Sequence, residues 1–211
     1  MLLTINDFPY HISINSQNYV IEVYKGLDSR TQLSRFEPVP VKDKNGNSVN
    51  LDGLKNDINN HVPDLDENGF LKTYLVFKLN DDYPKKELAY IFSLRCSSMS
   101  FEEDDFNTVI PAIELVYFAK DKMFAERHPE AKKLGVTIFD NVILKIVENI
   151  TATVGCNVLY LFAINDEKLI SYYKKQLLFD DYEDEDLEAL VVSRLKTNDN
   201  KGCKFLYQYV Y

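Results

Sequence analysis

The 211-residue chain sets 33 Asp and Glu against 24 Lys and Arg, a net charge of −9 with an isoelectric point near 4.9. That field opposes polyanions, so broad nucleic-acid binding is not expected, although a local basic patch is compatible with it. With 45% hydrophobic and 27% charged residues the composition is that of a globular protein of one domain, and no apolar run is long enough to span a bilayer.

Further exclusions come from single residue types. Cys96, Cys156 and Cys203 are odd in number and form no CxxC pair, which fits a reducing, cytoplasmic setting better than a disulfide framework. His11, His61 and His128 lack zinc-ligand spacing. The opening "MLLTINDFPYHISI" carries Asp7 and no basic stretch, so no secretory leader is expected.

In chain order, "HISINSQNYVIEVYKG" alternates as a strand. "DSRTQLSRFEPVPVKDKNGNSVN" holds Pro38, Pro40 and Asn45-Gly46 and reads as a loop or loose hairpin. Residues 1–50 therefore read as a strand-and-loop extension of the same domain. "LDGLKNDINNHV" suggests a short helix through Leu51, Leu54 and Ile58. "FLKTYLVFKLN" and "ELAYIFSLRCSS" follow as antiparallel strands, joined through "DDYPKK". "SFEEDDFN" reads as a polar link with a helical turn, and "IPAIELVYFAKD", apolar on both faces, as a central strand.

After the polar connection "MFAERHPEAKK", a helix starts at Gly135, with Ile138, Phe139, Val142, Ile143, Ile146, Val147 and Ile150 in one stripe. "CNVLYLFAI" is a buried strand and "DEKLISYYKKQLLF" a helix with Tyr173 inward. "DDYEDEDLEALVVSRLK" opens with carboxylates suited to the N-terminus of a helix running to Leu195. "GCKFLYQYVY" closes the chain as a strand. Several strands precede the first strand-helix-strand unit, so the pattern defines an α/β (α+β) mixed sheet with helices on both faces.

The ordered set "TYLVFKL…ELAYIFSLRCSSMS", "PAIELVYFAKDK…KKLGVTIFDNVI" and "CNVLYLFAINDEKLISYYKKQLLF" resembles the GNAT superfamily of N-acetyltransferases over residues 51–211. The resemblance implies a mostly antiparallel sheet with a splayed central strand pair. It also implies acetyl-coenzyme A as co-substrate and direct attack by an amine-bearing acceptor, small molecule or protein, in a ternary complex. In that family a Q/R-x-x-G-x-G/A loop and the following helix N-terminus hold the coenzyme's pyrophosphate. Here Gly135 matches the last glycine, Lys133 stands at the earlier glycine and Glu130 at the Gln/Arg position. The resemblance therefore assigns cofactor binding to Lys132, Lys133, Leu134, Gly135 and Val136. Charge on Lys132 or Lys133 would replace a backbone contact.

On the same resemblance the backbone of Val116, Tyr117 and Phe118 faces the thioester, and Asn165 meets the pantetheine arm. Glu114 matches the register of a general base, where its apolar neighbours would favour the neutral carboxyl. It could alternatively pair with Arg95. Tyr173 matches the tyrosine that protonates the leaving thiolate, with Tyr172 the lesser choice; a plain core role competes. The family's glycine before the final Phe is replaced by Leu178. With so little of the loop signature kept, a GNAT-fold interaction or regulatory module that has lost the coenzyme is the alternative. A homodimer is compatible with either reading.

Overall fold

The computed structural model describes residues 3–42, 46–79, 86–103, 106–182 and 203–211. Seven strands form one sheet in chain order: β1 (Tyr10–Ile14), β2 (Gln17–Val23), β3 (Lys72–Leu79), β4 (Lys86–Glu103), β5 (Phe106–Lys120), β6 (Val158–Ile164) and β7 (Cys203–Tyr209). Every neighbouring pair is antiparallel except β5 and β6.

Helix α1 (Gly26–Leu33) and α2 (residues 52–67, with a π-helical turn at Asp57–His61) cover one face. Their core includes Leu33, Phe36, Ile58, Val62 and Leu75. Helix α4 (residues 134–154, with a π-helical turn at Phe139–Ile143) and α5 (Glu167–Gln176) cover the other, around Phe92, Leu134, Phe139, Ile143 and Leu177. Short α3 (Lys122–Arg127) follows β5 and is capped by Asp121, whose carboxylate accepts from Phe124 N at 2.9 Å. Among the described residues no helix is long and apolar enough to cross a membrane.

The structure corrects the sequence reading in four places. The first alternating run is a hairpin, because Asn15 and Ser16 take left-handed φ values of 51° and 64° and reverse the chain in two residues. Part of the stretch read as loop is α1. The stretch read as a polar link extends two strands instead: β4 and β5 stay in register to Glu103↔Phe106. Cross-strand hydrogen bonding there overrides the polar composition. Finally, the polar connection before Gly135 contains α3. The "DDYPKK" connection up to residue 85, and the helix expected to run to Leu195, from residue 183 onwards, lie outside the described residues.

Candidate active site

The unit β5–α4–β6 is a parallel crossover. Helix α4 therefore begins at the edge where both strands end and runs back along the sheet, placing its N-terminus at the strands' C-terminal ends. The strands stay together for only three residues: Ala112, Ile113 and Glu114 pair with Val158, Leu159 and Tyr160. Beyond Glu114, β5 pairs only with β4 and β6 only with β7. A register shift at Ser93/Leu94 leaves Val116 as an extra residue on β5 at this point. Past Glu114 no β5–β6 ladder forms, so the β6-facing edge of β5 around Val116 and Phe118 takes no part in strand pairing. Tyr117 packs toward the α1–α2 face and Phe118 toward α4.

Glu114 is 5% exposed and faces away from α4 and α5, whose core takes its neighbours Ile113 and Leu115, and toward Tyr160. Its Oε2 accepts from Arg95 Nε at 3.1 Å and Nη2 at 2.5 Å, and from the Tyr160 hydroxyl at 3.2 Å. Arg95 is the cross-strand partner of Glu114, so this pairing, which the sequence reading kept open, follows from β4–β5 register. Tyr160 also lies 2.6 Å from Ser97 Oγ, closing a line Arg95–Glu114–Tyr160–Ser97. Burial, with the Glu114 charge adding to it, holds the Tyr160 phenol well above its ordinary range.

On the opposite face Tyr173 is 7% exposed, and its ring meets Tyr172 and Phe179 edge-on. Its hydroxyl has no hydrogen-bond partner among the described residues, and burial keeps the phenol protonated. Phe118, Phe139 and Phe179 form a continuous aromatic wall between β5 and α5. Leu178, standing where the resemblance expects glycine, adopts φ 58°, the left-handed backbone a glycine favours.

The head of α4 departs furthest from the sequence reading. Lys133 sits at its N-cap with no side-chain cap, so Gly135 and Val136 leave their N–H groups outside the helix ladder. Lys132 and Lys133 are exposed, while Leu134 and Gly135 are buried. Gly135 is helical, so no turn requires a glycine there. A Cβ at Gly135 would stand 2.8 Å from the Tyr172 hydroxyl and 3.0 Å from that of Tyr90. Glu130 is engaged elsewhere, its carboxylate held down to about 2 by its own backbone N–H, Gln17 and His128. Asn165 is exposed. The cap of α5 is Asp166 instead, accepting from Leu169 N at 2.7 Å.

Sequence reasoning missed two features. His128 joins two carboxylates: its Nε2 lies 3.1 Å from Glu87 Oε2 and its Nδ1 3.1 Å from Glu130 Oε1. No local pattern signals this, because Glu87 comes from β4. Tyr90 was the other, hidden in the alternation of a buried strand. Among the described residues no group of His, Cys, Asp or Glu is arranged to hold a metal.

This arrangement, a mostly antiparallel seven-stranded sheet opened between β5 and β6 with helices on both faces, is the GNAT fold. Solved structures with that fold include toxins named AtaT and KacT. A tyrosine-to-phenylalanine mutant of AtaT, bound to the C-terminus of the antitoxin AtaR and acetyl-CoA, is 18% identical at a TM-score of 0.58, matching 91% of this chain and 93% of its own. A KacT mutant of the same kind is 14% identical at 0.61, over 91% and 95%. AtaT complexed with acetyl-methionyl-tRNAfMet is 18% identical at 0.56, over 90% and 94%. No protein-family model and no curated protein matches the chain. A further AtaT structure, the AtaT-AtaR complex, was solved bound to DNA.

Proposed function

We propose that this chain is an acetyl-coenzyme A-dependent N-acetyltransferase. The observation that carries this reading is the parting of β5 and β6 directly after Glu114 and Tyr160, in a fold shared with proteins solved with acetyl-CoA. The coenzyme, when bound, supplies an activated acetyl group. The β6-facing edge of β5 at Val116 and Phe118 orients it, and the uncapped head of α4, with the Val136 N–H outside the helix ladder, takes its phosphates. Lys132 and Lys133 add positive charge at that end, and Asn165 lies at the β6 end of the opening.

Two groups divide the proton work. The Tyr173 phenol, buried and protonated, serves as the acid on the α4–α5 face. Glu114 works from the other face as the base. Its Oε2 is saturated by Arg95 and Tyr160, so Oε1 is the oxygen left to receive a proton or hydrogen bond from the incoming amine. The acceptor is an amine on a small molecule, a protein or an RNA-borne amino acid. The last class is raised by the neighbour solved with acetyl-methionyl-tRNAfMet.

Calorimetric titration with acetyl-coenzyme A tests the reading; no heat of binding at millimolar ligand removes it. Where binding is measured, Tyr173→Phe should lower turnover at least tenfold, the scale of a lost general acid, with affinity near normal. An unchanged rate takes Tyr173 out of the mechanism. A second reading, a GNAT-fold interaction module without coenzyme, is favoured by one observation: two tyrosine hydroxyls already rest on Gly135.

A further inference from the structure

One rung of the sheet carries polar chemistry across three strands. Glu114 on β5 is paired with Arg95 across the antiparallel ladder and with Tyr160 across the parallel one, at the last pair before β5 and β6 part. Packing accounts for the Tyr160 ring. It is 1% exposed and lies against Phe162 and Phe205, with ring centroids 6.1 and 5.5 Å away, contacts a phenylalanine would make equally well. Packing does not account for its hydroxyl.

That hydroxyl has two partners, Glu114 Oε2 at 3.2 Å and Ser97 Oγ at 2.6 Å. A phenol has one proton to donate, and an ionised carboxylate only accepts. Tyr160 therefore donates to Glu114 and accepts from Ser97, so the bonds run in one direction, from half-buried Ser97 through buried Tyr160 to buried Glu114. Each donor polarises the next. Arg95 reaches the same oxygen from the β4 side, so Oε2 is gripped from both neighbouring strands while Oε1 takes part in none of these bonds. Among the described residues, the charged and titratable groups at this carboxylate are Arg95 and Tyr160, with Tyr117 acting through its field on Arg95.

We propose that Tyr160, backed by Ser97, is a positioning residue for Glu114, fixing the carboxylate in its charged form with Oε1 turned to the acceptor amine. The proposal rests on the base reading of Glu114 above. A donated hydrogen bond favours the charged form of a carboxylate, so its loss lets a proton bind at higher pH. Held from two strands, the carboxylate meets the amine without first having to reorient.

The experiment follows the Glu114 side-chain carboxyl by carbon NMR in protein labelled at glutamate, its signal assigned by absence from Glu114→Gln. The pH midpoint should rise by about one unit in Tyr160→Phe, the scale of one hydrogen bond to a charged group. Ser97→Ala should give a smaller rise, and Ser97→Thr, which restores the hydroxyl, should return it. Acetyl transfer from acetyl-coenzyme A to methionine amide gives the second readout. The acid limb of kcat/KM for the amine should move up with the midpoint in each variant, with KM for acetyl-coenzyme A unchanged. A midpoint unmoved in both Tyr160→Phe and Ser97→Ala overturns the positioning role, and leaves the base reading standing where Glu114→Gln loses activity. A midpoint that moves while the acid limb stays fixed, or a Glu114→Gln variant at the wild-type rate, overturns the base reading and the proposal together. So does an absence of transfer by the wild type.

Discussion

Leu178 shows how a single residue can keep a family's geometry without its chemistry. Its φ of 58° is the left-handed conformation that costs a non-glycine residue about 1–2 kcal/mol. The side chain is 74% exposed, so it returns little packing. Leu178→Gly removes the strain but restores glycine's unfolded-state entropy, about 0.5–1 kcal/mol. The expected net gain is about 0.5–1 kcal/mol, read as a higher urea midpoint at unchanged slope; a lower midpoint would show that the leucine packs more than its exposure indicates. Gly135 is the opposite case. The sequence read it as a residue of a phosphate loop; in the structure it is helical and lies against two tyrosine hydroxyls that come from β4 and α5. Neither neighbour is visible in the loop's own residues.

At the scale of elements, β4–β5 register decides the chemistry of Glu114. Arg95 faces it across the ladder, and the guanidinium, with its side chain 41% exposed, offsets the cost of burying the carboxylate. Arg95→Leu should lower stability by about 2 kcal/mol. That is below the 3–5 typical of breaking a buried pair, because solvent reaches the arginine. Adding Glu114→Gln should recover more than half of the loss, since no unpaired charge remains. A double mutant as unstable as the single one would show that Arg95 acts by packing. The helical stripe of α4 and the buried runs of β5 and β6 were legible because one periodicity held across each. The β1–β2 hairpin was not, since Asn15 and Ser16 lack the usual turn glycine. Nor was the extension of β4 to Glu103 and of β5 back to Phe106, where strand pairing overrides a polar composition.

For the whole molecule the many tyrosines set behaviour in alkali. Burial pushes Tyr74, Tyr172 and Tyr182 up to about 12, and Tyr90, Tyr160 and Tyr173 further. An acid whose folded-state value lies above the unfolded one, near 10, binds more protons when folded, so stability falls as pH rises. The contribution is complete below about pH 10 and is lost as pH climbs from there through about 12. Tyrosinate absorbance should therefore rise in two stages, exposed phenols first and buried ones together with loss of circular dichroism. With Trp absent and 14 Tyr present the signal has no indole background. A single stage near pH 10 with the fold intact would contradict the burial described. The sequence by itself determined the order of β5, α4, β6, α5 and β7, the apolar stripe of α4, and the resemblance to the GNAT fold. Those are local properties, set by periodicity and residue type along the chain. Only the tertiary structure decided that Arg95 and Tyr160 hold Glu114, that His128 bridges Glu87 and Glu130, and that Tyr90 and Tyr172 meet on Gly135. Each of those contacts joins residues far apart in the chain, and strand register with helix packing, not local pattern, brings them together.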